Sequence, residues 1–205
     1  MQANGAAKPK LFLASKSPRR AELLQQIGVP FEVLSIDVPE HRQEGEAPAT
    51  YVARLAREKA SAGAAQANGC AVLGADTIVE CAGHVLEKPR DQAHAAEMLH
   101  LLSDQTHLVH TAVALCCNEQ LYTDLVTSKV TFRALSSDEI ARYWLTGEPA
   151  DKAGGYGIQG LGAVFVQHLA GSYSGVMGLP IAQTQQLLAS LNITCWQPDA
   201  STALM

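Results

Sequence analysis

Apolar residues along the chain fall into two rhythms, dense short runs and wider helical spacings, and the two alternate. The run Lys10–Ala14 predicts a strand. Ser17-Pro18 then reads as a helix start, with Ser17 as N-cap and Pro18 in the first turn. Leu23, Leu24 and Ile27 give that helix its apolar stripe, and Gly28 stands where a helix C-terminal glycine belongs. Phe31–Ile36 predicts a second strand. Pro39–Pro48 is polar and charged and reads as an active or disordered loop. Thr50–Ala67 carries Val52, Leu55, Ala56 and Ala60 on one helical face.

After a turn at Asn68-Gly69, Ala71–Val79 is the most strand-like stretch, and Ala82-Gly83 reads as a small hairpin turn. Asp91–Leu102 predicts a helix. Thr106–Cys117 and Leu121–Phe132 predict a long hairpin turning at Asn118-Glu119. Ser137–Thr146 predicts a helix capped by Ser136 or Ser137. Gly147–Gly162 reads as a glycine-rich loop, Ala163–His168 as a strand and Pro180–Leu191 as the last helix. Residues 1–9 read as a flexible arm and residues 10–205 as one domain. Strands alternating with helices around one hairpin predict an α/β fold with a mixed sheet.

Composition narrows the function. The 205 residues are 47% hydrophobic and 17% charged, enough for a self-sufficient core. Fifteen basic against twenty acidic residues leave a formal charge of −5, which argues against general binding to nucleic acid or an anionic membrane. An anion must therefore be met by a local cluster of cations. No apolar run approaches the roughly 18 residues of a membrane span, and no signal peptide is expected. Five cysteines without a CxxC pair point to reduced thiols and a cytoplasmic setting.

Four segments carry candidate chemistry. Ser15-Lys16-Ser17-Pro18-Arg19-Arg20 places three cations and two hydroxyls at the positive end of a helix dipole. Cations are normally unfavourable there, so the turn makes sense as a phosphate site. Asp76 follows the small and apolar residues Ala71–Ala75, at the carboxyl end of a strand, where α/β sheets bind ligands. It is the first candidate for general base or metal ligand. Lys59 lies on an apolar stripe and Lys88 just after a hairpin; either snorkels or leans into a phosphate pocket. Finally, Asp151–Gly160 contains a formal GxGxxG at Gly155, Gly157 and Gly160. It leads into a strand rather than a helix, which excludes a dinucleotide fingerprint and with it a nicotinamide-dependent oxidoreductase. Its Gln159 offers the donor and acceptor that a base edge requires. His107 and His110 read as structural.

Taken together, these segments resemble the Maf-type nucleoside triphosphate pyrophosphatases. The resemblance runs through Leu13–Arg20, Arg57-Glu58-Lys59, Gly74–Thr77, Leu86–Asp91, Asp151–Gly160, Gly171–Tyr173 and Gly178–Pro180, in family order. It implies hydrolysis of a nucleoside triphosphate between its α and β phosphates, with a divalent metal, Mg²⁺ or Mn²⁺. It implies an elongated two-lobed fold around a cleft, like inosine triphosphate pyrophosphatases, and often a homodimer. Asp76 matches the family's proton acceptor. Ser15, Arg20, Glu40, Lys59 and Lys88 match positions lining the phosphate and metal site, with Glu40 and Asp76 as metal ligands. Arg19, Thr77 and Gln159 match positions tied to base choice. The Asp151–Gly160 segment is similar to the branch acting on dTTP and UTP. Two departures are Asp104, where glycine commonly ends a helix, and Pro39, where an acid often precedes Glu40. A second reading of the same resemblance is a nucleotide-binding regulator of cell division with little turnover; the presence of both base and cations favours the enzyme.

Overall fold

A computed structural model of the chain describes residues 11–118 and 120–196. The expected arm, Lys10, Glu119 and the last nine residues lie outside them. Seven strands form one mixed sheet in the order β2-β1-β3-β5-β6-β7, with β4 hairpinned onto β3. The strands are β1 (Leu11–Ala14), β2 (Glu32–Val33), β3 (Ala71–Cys81), β4 (His84–Leu86), β5 (Thr106–Cys117), β6 (Gln120–Phe132) and β7 (Val166–Ala170). β1 runs parallel to β2 and β3, whereas β3, β5, β6 and β7 are successively antiparallel. The helices are α1 (Pro18–Gln26), α2 (Pro48–Ala64), α3 (Gln92–Leu102), α4 (Ser137–Trp144), α5 (Tyr173–Met177) and α6 (Ile181–Ser190). This is the mixed α/β architecture that the alternation of runs predicts.

Several local expectations have visible causes. Ser136 caps α4 in a reciprocal capping box with Glu139, and the Asp91 side chain accepts from His94 N–H to cap α3. Asp104 has φ 56°, the left-handed conformation that aspartate tolerates. Ser17 has extended capping geometry, yet its side chain makes no cap hydrogen bond. α2 starts at Pro48 rather than Thr50 and ends at Ala64 rather than Ala67.

Three segments depart from the sequence pattern. Of Phe31–Ile36, Glu32 and Val33 form the ladder, joined by a Leu34 N–H bond to the Leu13 carbonyl. The expected strand over Ala163–His168 begins late: Leu161–Phe165 winds as a 3-10 helix, and pairing starts at Val166. The aromatic core explains this. Phe165 must reach Phe132 and Tyr143, with ring centroids at 5.8 and 4.9 Å, which an extended alternation would not allow. Within Gly147–Gly162, two further 3-10 pieces cover Glu148–Asp151 and Ala153–Gly155.

The core is not one body of side chains. One cluster gathers Phe132, Tyr143, Tyr156 and Phe165 with α3 residues Met98, Leu99 and Leu102. Another joins Leu11, Leu13, Leu73 and Leu115 to Leu24 of α1 and Leu188 of α6. A third packs Val52, Leu55, Ala56 and Ala60 of α2 on Ile78, Ala112 and Ala114 of the sheet. No helix among the described residues is long and apolar enough to cross a membrane.

Candidate functional site

Gly74 determines how closely α2 approaches the sheet. A Cβ there would lie 2.5 Å from the Ala56 carbonyl oxygen and 2.6 Å from the Ala60 nitrogen. Glycine alone lets backbone meet backbone at this point. Two residues on, Asp76 points to the same face of β3, and α2 brings Lys59 over it. The Lys59 ammonium lies 2.6 Å from Asp76 Oδ1 and 2.6 Å from Glu40 Oε1. Glu40 comes from the irregular segment between β2 and α2. That segment is tied down by Arg54, which donates to the His41 carbonyl at 3.0 Å and to both oxygens of Glu46 at 2.8 Å.

The two carboxylates respond differently. Burial pushes Asp76 above the ordinary carboxylate range, outweighing the charges of Lys59 and Arg20. Burial also acts on Glu40, but the Lys59 hydrogen bond and the charges of Lys59, Lys88 and Arg20 hold it below that range. Asp76 is thus the stronger base of the pair.

Beside them is the turn between β1 and α1. The Ser15 hydroxyl oxygen accepts from Ser17 N–H at 3.2 Å and from Arg20 Nη1 at 3.2 Å. Arg20 also donates from Nε to the Gly178 carbonyl at 2.8 Å and from Nη2 to Thr77 Oγ1 at 3.3 Å. Burial pulls the guanidinium below its ordinary pKa against the pull of Asp76, but arginine remains a cation in proteins. The buried Thr111 completes this corner, its hydroxyl 3.0 Å from Thr77 Oγ1 and 2.7 Å from the Gly175 carbonyl.

All nine residues singled out from the sequence line one cavity of about 640 Å³. Lys88 reaches it from the segment after β4, which is tied to the glycine-rich segment by the Gly154 N–H bond to the Glu87 carbonyl at 3.1 Å. Arg19 faces Asp151 across the cavity, 3.7 Å from its carboxylate, and Asp151 also pairs with Lys152. Gln159 lines the same cavity and is exposed. Ser15, Arg20, Lys59, Asp76 and Glu40 thus form one linked group, the cationic end of the site, and the Gln159 segment lines the same cavity.

A family model described as Maf-like protein matches residues 10–191. The chain belongs to the Maf-like protein family. The dTTP/UTP pyrophosphatase of Saccharophagus degradans is 55% identical to it over 191 residues, 91% of each chain. The enzyme of the same name from Shigella sonnei is 56% identical over 183 residues, 89% of this chain and 93% of its own. A Shigella flexneri protein named nucleoside triphosphate pyrophosphatase is also 56% identical over 183 residues.

Sequence reasoning missed several contributors to the site in this Maf-like chain. Gly178 figures in the sequence only within the Gly178–Pro180 match and not for its carbonyl, which accepts from Arg20, and Thr111 lies in a run that reads as ordinary strand. Arg54 had a sequence signal, because it sits four residues before Glu58 on α2, but its grip on the Glu40 segment depends on a tertiary contact.

The family resemblance implies a divalent cation, and the donor set bears on it. Glu40 and Asp76 are hard oxygen donors that converge on one point, where the Lys59 ammonium sits. Among the described residues no group of three or more metal-ligating side chains gathers. Magnesium commonly takes one or two carboxylates and completes its shell with water and substrate phosphates. The residues fit an ion carried with a polyphosphate.

Proposed function

We propose that the chain hydrolyses dTTP and UTP to the monophosphate and pyrophosphate. One observation carries this reading: Asp76, a buried carboxylate held 2.6 Å from the Lys59 ammonium, lines the same cavity as the Ser15–Arg20 turn. Support also comes from the relatives' names and their identity over about nine tenths of the chain.

The triphosphate lies along the cationic end, with Ser15, Arg20, Lys59 and Lys88 compensating its charge. Asp76 is kept ionised by Lys59 yet is buried enough to be a better base than an exposed carboxylate. It takes a proton from the attacking water. The water oxygen bonds to the α-phosphorus, the bridging bond to the β-phosphate breaks, and its electron pair leaves with pyrophosphate. Lysine and arginine cations stabilise the charge that builds on that leaving group. A Mg²⁺ or Mn²⁺ ion would be held by Glu40 and Asp76 and would supply Lewis-acid polarisation of the phosphate oxygens.

Within the same cavity, Gln159 pairs its amide with N3–H and a carbonyl of uracil or thymine. Cytosine reverses one of those partners and is disfavoured. Arg19 and Thr77 join this base-choosing set from the Arg20 side of the cavity, where Thr77 Oγ1 accepts from Arg20.

A pyrophosphate-release assay over a nucleotide panel, with and without Mg²⁺, tests the reading. Release from dTTP and UTP ahead of dCTP and purine nucleotides is expected. Binding without release would favour a nucleotide-responsive regulator, and release of single phosphates another phosphohydrolase.

A further inference from the structure

The segment Gly157–Gly162 has glycine at 157, 160 and 162, with Gln159 between them. These glycines surround a carboxylate that the protein itself supplies. Glu148 accepts from the Tyr143 hydroxyl at 2.6 Å, from Leu161 N–H at 2.8 Å and from Gly162 N–H at 2.9 Å. The Tyr143 oxygen accepts in turn from Gly157 N–H at 3.2 Å. A Cβ on Gly160 would stand 2.2 Å from Glu148 Oε2, and one on Gly157 3.1 Å from Oε1. A Cβ on Gly162 would stand 2.6 Å from the Tyr143 oxygen. Both ends of the bend are therefore tied to one tyrosine–glutamate pair, and a Cβ at Gly160 or Gly162 would force that pair to shift. The Tyr143 ring is itself fixed edge-on to Phe165, with centroids 4.9 Å apart. Neither Tyr143 nor Glu148 lines the cavity. Backbone N–H groups that in a phosphate loop would face a ligand here face an internal anion.

We propose that Glu148, together with Tyr143, is a positioning residue for base selection: it holds the Gly157–Gly162 bend so that Gln159 presents its amide to the pyrimidine edge. The proposal rests on the base-reading role given to Gln159 above. Glu148 remains ionised in this setting. Burial pulls it upward, but the donors from Tyr143, Gly162 and Leu161 and the charge of Lys152 hold it below the ordinary carboxylate range. Tyr143 and Glu148 act on selectivity without touching substrate, so their effect passes through Gln159 alone.

A double-mutant cycle on the full chain tests this, using kcat and KM for dTTP and dCTP. Glu148→Ala is expected to lower kcat/KM for dTTP about tenfold, chiefly through KM, and to leave dCTP within about twofold. In a Gln159→Ala background the same change should add less than about twofold, because the group it positions is gone. Equal losses on both nucleotides, or a full further loss in the Gln159→Ala background, would overturn the proposal. Gln159→Ala is also the control for the underlying reading. If it leaves the dTTP to dCTP ratio intact, the base-reading role fails and the proposal with it. If it collapses the ratio while Glu148→Ala does not, the positioning role alone fails. Should Glu148→Ala not fold, Tyr143→Phe keeps the ring against Phe165 and is read against the same two criteria.

Discussion

Two groups lining the cavity, the Arg20–Lys59–Asp76 group (the cationic end) and the Gln159 segment (the amide end), are built on opposite principles. At the cationic end, Lys59 and Asp76 project from a long helix and an eleven-residue strand, and Arg20 comes from the first turn of another helix. Their charges are paired at 2.6 Å or held by three hydrogen bonds. At the amide end, Gln159 stands on an irregular glycine segment over an aromatic cluster, in which Phe132 lies 4.9 Å from His107 and 4.7 Å from Tyr156. The contrast has a physical basis. Buried charges need carriers stiff enough to keep partners within hydrogen-bond reach, since an unpaired one is costly. A base edge needs a shaped gap, and backbone without side chains shapes one closely.

The strongest blow to this contrast is Asp76→Asn. It keeps the shape of the cationic end but removes the proposed base, and turnover of every nucleotide should fall about 10³-fold while binding largely survives. Equilibrium binding alongside pyrophosphate release checks both halves. A loss confined to one base would erase the division between the two ends.

Acid should act on the amide end. Burial depresses His107 to about 4, and its Nε2 lies 2.8 Å from the Tyr156 hydroxyl beneath the glycine segment. An unfolded histidine titrates near 6.5. Below that pH the unfolded chain gains a proton that the folded chain refuses until about pH 4. Stability is therefore full above pH 6.5 and falls through that window, by about 2–3 kcal/mol from this residue. Urea unfolding at pH 7 and 4.5 should show a drop that is smaller by that amount in His107→Leu. An unchanged drop would mean that His107 does not underlie the acid sensitivity of this end.

Gly74→Ala acts beneath the cationic end. Its Cβ would meet backbone rather than a movable side chain, so α2 must lift from β3. About 2 kcal/mol of stability should be lost, together with activity on every nucleotide, as thermal unfolding and turnover would show. The smallest effect is that of Gln159→Ala, about tenfold in the dTTP to dCTP ratio, the size of one or two neutral hydrogen bonds. Equal losses for all bases would place base selection elsewhere.

Legibility from sequence followed the same division. The cationic end could be read because local chemistry conflicts with local environment: cations at a helix N-terminus, an aspartate after five small or apolar residues, and a lysine on an apolar stripe. Such conflicts are visible without coordinates and are resolved by ligands or partners. The glycine segment was legible only as an anomaly, a phosphate-loop spelling in the wrong place. Its partner Glu148 lies before it in the chain and looks like any acid near a turn. α5 escaped notice because five residues are too few to show a helical period. The late start of β7 followed from aromatic packing, which alternation alone does not encode.

The Arg20 bond to the Gly178 carbonyl spans 158 positions. A nascent chain emerging from the ribosome has already exposed its guanidinium long before that acceptor is synthesised. The pocket around Arg20 therefore cannot mature piecemeal during translation, and a product halted ahead of Gly178 would lack the brace that aims Arg20.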